Sequence, residues 1–92
     1  MDTAIVTGSD SGIGKATAVA LARRGFDVGL TFHSDEAGVQ DTLREVEQLG
    51  QRAVVARFDA SQLEDVQAVV TTLADELGGP LRVFVNNAGT GL

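Results

Sequence analysis

The sequence predicts an α/β domain built on a parallel β-sheet, and three observations carry that expectation. Four short runs of β-branched and apolar residues alternate with three stretches of helical periodicity. A glycine-rich run, Thr7-Gly8-Ser9-Asp10-Ser11-Gly12-Ile13-Gly14, joins the first strand to the first helix. A second run of small and amide residues, Asn86-Asn87-Ala88-Gly89, follows the fourth strand.

Thr3–Val6 is apolar and β-branched, as a strand buried on both faces must be. A helix is expected over 13–24, with Ile13, Thr17, Ala20 and Leu21 on its inner face and Gly25 as its stop. Val28–Phe32 reads as the second strand. Ser34 is placed to cap a second helix over 35–49, in which Val39, Leu43 and Val46 recur at helical spacing and Gly50 ends the run. The third strand is Ala53–Phe58. Ser61 and Glu64 make a capping box, behind which Leu63, Val66, Val70, Leu73 and Leu77 line one helical face. Gly78-Gly79-Pro80 breaks that helix before a fourth strand, Leu81–Val85. Strands that alternate with helices pair in parallel through right-handed crossovers. The expected strand order is 3-2-1-4, a truncated doubly wound sheet of Rossmann type, with 1–92 forming a single domain.

Composition narrows the function. The chain has 92 residues, 43% hydrophobic and 22% charged, which suits a soluble globular domain with a thin core. A net charge of −6 with scattered basic residues argues against a nucleic-acid partner. No apolar run reaches the roughly eighteen residues of a membrane span. There is no cysteine, so disulfides, thiolate metal sites and a cysteine nucleophile are excluded. No metal site is expected. Met1-Asp2 leads directly into a strand without a basic, apolar leader, so the expected location is the cytoplasm.

The glycine-rich run suits a pyrophosphate. Gly8 permits a sharp turn off the strand, Gly12 leaves room for a phosphate at the main chain, and Gly14 lets the helix pack close to the sheet. The helix that starts there offers unpaired N–H groups and a partial positive charge. Ser9 and Ser11 add hydroxyls, while Asp10 must turn its carboxylate outward; both serines also suit local turn bonds. Lys15 either leans toward a phosphate or is solvated. The glycines at 8, 12 and 14, behind Thr7 and ahead of Asn86-Asn87-Ala88-Gly89, resemble those of the short-chain dehydrogenase/reductase family. The resemblance covers essentially the whole chain. The stretch Thr31-Phe32-His33-Ser34-Asp35-Glu36-Ala37-Gly38 is more loosely similar to members that reduce small carbonyl compounds, such as diacetyl or acetoin.

That resemblance implies a nicotinamide dinucleotide as cofactor. Its pyrophosphate would lie along Gly8 to Gly14, with Ile13 in the same loop. Asp59 would accept from the adenine amino group and Ala60 would touch the ring; capping of the third helix is the structural alternative for Asp59. Asn87, Ala88 and Gly89 would lie against the ribose and nicotinamide, with a strand-end turn as their alternative. An acid at the end of the second strand would select NAD(H). Here the strand ends Phe32-His33-Ser34, so NADP(H) is expected, with His33 and Ser34 near the 2′-phosphate. The basic residue that NADP-dependent members carry before the second glycine is absent, because Ser11 stands there.

The family's implied chemistry uses a serine, a tyrosine and a lysine, the last two placed four apart on a helix. This chain has no tyrosine, and Lys15 belongs to the glycine loop. No catalytic residue is therefore assigned. The chain resembles the N-terminal cofactor-binding portion of an oxidoreductase acting on a small carbonyl or alcohol, and alone it is expected to be inactive. A non-catalytic nucleotide-binding module is the alternative, and a flavodoxin-like signalling domain a weaker one. The fourth strand would leave an apolar edge open, from which self-association is expected.

Overall fold

The structure is a computed structural model and describes residues 2–59 and 63–87. Its elements follow in the order β1 (Thr3–Thr7), α1 (Gly12–Arg23), β2 (Asp27–Phe32), α2 (Glu36–Gln48), β3 (Ala53–Arg57), α3 (Leu63–Leu77) and β4 (Leu81–Asn86). The strands form one parallel sheet in the order β3-β2-β1-β4, as the sequence predicts. Stepping from β1 through β2 to β3 sends α1 and α2 to one face. The return from β3 to β4 on the far side of β1 sends α3 to the other.

Strand alternation divides the core between these faces. Val6, Val28 and Leu30 pack with Ala18 and Ala22 of α1 and with Val39 and Val46 of α2. Ile5 lies toward α3, where a side chain at Gly29 would crowd both Ile5 and Leu73. Leu73 and Leu77 are buried, and Val66 and Val70 half-buried, as their spacing requires. Gly25, Gly50 and Gly78 follow the three helices with positive φ.

Two local expectations are corrected. The buried residues of α1 are Gly14, Ala18, Val19 and Ala22; of the expected face, Leu21 packs half-buried against the core, whereas Ile13 is 78% exposed and Ala20 is exposed. Glycine and alanine hold three of these four buried positions, which a search for large apolar residues misses. The cap of α2 is Asp35, whose carboxylate accepts from the Gly38 N–H at 2.9 Å, so Ser34 lies one residue outside it. The capping box at Ser61 and Glu64, and the Leu63 side chain, lie outside the described residues.

At the end remote from the glycine loop, Asp27 is buried and accepts from Gln51 Nε2 and the Arg52 N–H. The Arg52 guanidinium donates to the carbonyls of Glu76 and Leu77. It thereby satisfies the C-terminus of α3, whose last turn has no basic residue of its own.

Candidate dinucleotide site

The carboxyl ends of β1, β2 and β4 meet where the strand order reverses, which is where sheets of this kind hold ligands. The loop leaving β1 has φ of +64° at Gly8 and +58° at Gly12, a region that side chains other than hydrogen strain to adopt. The space that a Cβ on Gly12 would enter is open. At Gly14 a Cβ would collide with the Gly8 carbonyl and lie 2.7 Å from Asn87 Nδ2. Gly14 therefore lets α1 close onto the loop and the β4 exit, rather than onto the sheet as its position in the sequence suggests.

Ser11 is the N-cap of α1, but its side chain makes no capping bond, and the first turn carries no acid. The turn's N–H groups are thus left to another acceptor. Ile13 stands exposed at the same end. Asp10 is half-buried, and its carbonyl lies so close to Gly38 that a Cβ there would strike it.

Ser9 corrects an expectation. Its side chain is fully buried; Oγ donates to the Val6 carbonyl at 3.0 Å and accepts from the Thr31 N–H at 3.0 Å. Its own N–H donates to the Thr31 carbonyl, and the Gly8 N–H donates to Thr31 Oγ1 at 2.9 Å. These groups brace the loop against β2, so the Ser9 hydroxyl does not face a phosphate. No motif in the sequence points to Thr42. It is buried on α2 and donates from Oγ1 to the Ser9 carbonyl at 2.7 Å. Thr42→Val should leave that carbonyl short of a partner and lower stability by about 1–3 kcal/mol. The urea midpoint should fall at an unchanged m-value, and an unaltered midpoint would show that the bond is not needed.

On the opposite wall, Asn87 Nδ2 donates to the Gly8 carbonyl at 3.1 Å, and the Asn87 N–H to Thr7 Oγ1 at 2.9 Å. Thr7 Oγ1 in turn donates to Asn86 Oδ1 at 3.0 Å. The β4 exit and the glycine loop thus form one hydrogen-bonded unit. Ala88 and Gly89 lie outside the described residues, as does Ala60.

Lys15 does not lean toward a phosphate; it stays at the surface, part-exposed, in an ion pair. Its Nζ pairs with Glu45 of α2 at 2.8 Å, and this hydrogen bond is the main cause that raises its pKa above the ordinary lysine value. The ammonium is directed across the helix pair rather than along the loop.

At the β2 exit, His33 Nε2 lies 3.7 Å from Asp59 Oδ2, with both side chains partly exposed. Arg57, which belongs to no motif in the sequence, donates from Nε to the His33 carbonyl at 2.9 Å. The predicted strand order holds the signal for it: with β3 beside β2, the last residues of the two strands must be neighbours. No group of His, Asp or Glu among the described residues is arranged to hold a metal ion.

Comparison with known proteins agrees with this geometry. The family model described as short chain dehydrogenase matches residues 2–92. The uncharacterized oxidoreductase YohF of Escherichia coli K12 is 49% identical over 86 residues, which are 94% of this chain and 34% of that protein. The crystal structure of acetoin dehydrogenase from Enterobacter cloacae superposes with a TM-score of 0.89 at 53% identity, over 98% of this chain and 36% of the other. Carveol dehydrogenase from Mycobacterium avium, solved in complex with NAD, gives a TM-score of 0.86 at 29% identity, over 98% and 36% of the two chains. The chain spans about a third of the length of the curated relatives it matches. Sheet order, glycine loop and the family match over residues 2–92 agree, and the chain belongs to the short-chain dehydrogenase family, whose members it matches over their N-terminal part.

Proposed function

We propose that this chain is the NADP(H)-binding portion of an oxidoreductase that moves a hydride between the nicotinamide and a small carbonyl or alcohol substrate. The observation that carries the reading is the glycine loop. Two residues with positive φ and one with no room for a Cβ shape it around the uncapped start of α1. A dinucleotide pyrophosphate fits that cradle: it needs main-chain N–H donors, a helix N-terminus and close approach to the backbone. Gly8, Asp10, Ser11, Gly12, Ile13 and Gly14 line the pyrophosphate in this proposal, and the exposed Ile13 side chain gains cover from the cofactor. Asp59 and Ala60 serve the adenine. Asn87, Ala88 and Gly89 serve the ribose and nicotinamide, with Asn87 holding the loop. The nicotinamide supplies the hydride; the residues of this chain bind and orient it.

Choice of NADP(H) is supported by the β2 exit, where Phe32, His33 and Ser34 offer no acid to repel a 2′-phosphate. A small carbonyl substrate is supported by the likeness to acetoin dehydrogenase. A non-catalytic module is not favoured, because the family match continues through Asn87 to residue 92. Homo-oligomerisation through β4 and a cytoplasmic location complete the proposal. The first is supported by Leu81 and Phe84, which stand 38% and 42% exposed on that strand.

Titration calorimetry with NADP+ and NAD+ tests the cofactor reading. Binding of NADP+ is expected to be several-fold the tighter at moderate salt. Equal affinities, or tighter binding of NAD+, would overturn the preference.

A further inference from the structure

β2 and β3 end side by side, with Phe32 paired to Arg57 in the parallel register. The Arg57 Nε–H bond to the His33 carbonyl holds the guanidinium at the β2 exit and uses one of its five N–H donors. Arg57 is exposed and makes no ion pair among the described residues. His33 stands in contrast. Its imidazole faces the Asp59 carboxylate, so even a protonated ring presents little net positive charge to an anion. Asp35, next along the turn, is engaged with the Gly38 N–H. Between His33 and Arg57, only the arginine brings a charge that no carboxylate among the described residues offsets.

We infer that Arg57 selects the cofactor by taking the ribose 2′-phosphate at the β2 exit. This inference rests on the NADP(H) reading and names the side chain behind it. A guanidinium suits a phosphate because it stays charged at any working pH and offers a planar fork to two phosphate oxygens. The bond to the His33 carbonyl restrains the side chain beforehand, so less rotamer freedom is lost when a phosphate arrives. A 2′-hydroxyl would gain little from the guanidinium, so the contribution is to discrimination rather than to general affinity.

The test is the ratio of NAD+ to NADP+ dissociation constants, measured by calorimetry for the unaltered protein, Arg57→Gln and Arg57→Lys. The probe 2′,5′-ADP is titrated against 5′-AMP as a check free of the nicotinamide. Loss of a charged hydrogen-bonding partner should remove the several-fold preference in Arg57→Gln and bring the ratio close to one. Arg57→Lys should lie between, keeping the charge but losing the fork. The side chain is exposed, so unchanged circular dichroism is expected for both variants. A ratio unaltered by Arg57→Gln overturns the inference, and so does an equal loss for both cofactors. The unaltered protein's own ratio judges the NADP(H) reading separately. A strong NADP+ preference that survives Arg57→Gln would keep that reading and remove Arg57 from it.

Discussion

Purified as the 92-residue chain, the protein is expected to bind NADPH and to show no substrate-dependent oxidation of it with diketones or aldehydes. Carbonyl reduction requires a proton for the alkoxide that forms as hydride arrives, and a donor to steady the charge that develops on oxygen. Tyrosine is absent from the chain, and its single lysine is paired with Glu45 on the outer side of the helix pair. A positioned general acid contributes roughly 10²–10⁴-fold in rate. An oxyanion donor contributes about 10²–10³-fold. Without both, the rate should fall to that of the cofactor and substrate mixed in buffer. The measurement is a steady-state absorbance assay at saturating NADPH. Turnover that withstands repeated purification and disappears in Gly12→Asp would show that this chain makes a complete active site, and the proposal of a cofactor-binding portion would fail.

The sheet was legible in the sequence because its signals are local and redundant. Each strand is a short apolar run, each helix ends at a glycine, and alternation leaves few topologies open. The glycine loop was legible for the same reason, since Gly8 and Gly12 occupy the backbone conformation that favours glycine. Less accessible was whatever depends on which residues meet across the fold. Of the four buried residues of α1, Gly14, Ala18 and Ala22 are small, and small size leaves a weak hydrophobic signature beside Val19. Ser9 reads as a phosphate contact because a hydroxyl in a loop looks available. Only the proximity of Thr31 and Thr42 shows that it is a brace between β1 and β2. Lys15 and Glu45 lie on different helices, and Arg57 meets His33 across two strands. Such pairings follow from register and crossover geometry, which a single sequence constrains only through the expected strand order.

Gly14→Ala should be among the most damaging single changes in the site, although it adds one methyl group. The new Cβ would run into the Gly8 carbonyl, which is main chain, and sit 2.7 Å from Asn87 Nδ2, a side-chain end that is itself bonded to that carbonyl. The Gly8 carbonyl cannot retreat cheaply, because Gly8 N–H is bonded to Thr31 Oγ1 and the next N–H, of Ser9, to the Thr31 carbonyl. Asn87 is equally held, by its bond to the Gly8 carbonyl and by its main-chain bond to Thr7. Relief must come from moving α1 off the loop, which opens the packing of Ala18 and Ala22 against Val6, Val28 and Leu30. Overpacking of this kind costs about 1–3 kcal/mol, and backbone obstruction puts Gly14→Ala at the upper end. The same shift withdraws the first-turn N–H groups from the loop, so NADPH affinity should fall at least roughly tenfold, about 1.4 kcal/mol. Gly25→Ala separates this steric cost from backbone strain. Gly25 also has a positive φ, of +96°, but a Cβ there meets nothing within 4 Å, and it lies at the far end of α1. Gly25→Ala should therefore lower the denaturation midpoint while NADPH affinity measured at low temperature stays within about twofold, roughly 0.4 kcal/mol. If Gly14→Ala instead matches the unaltered chain in both midpoint and affinity, the close approach of α1 to the glycine loop is not what holds the cofactor site together.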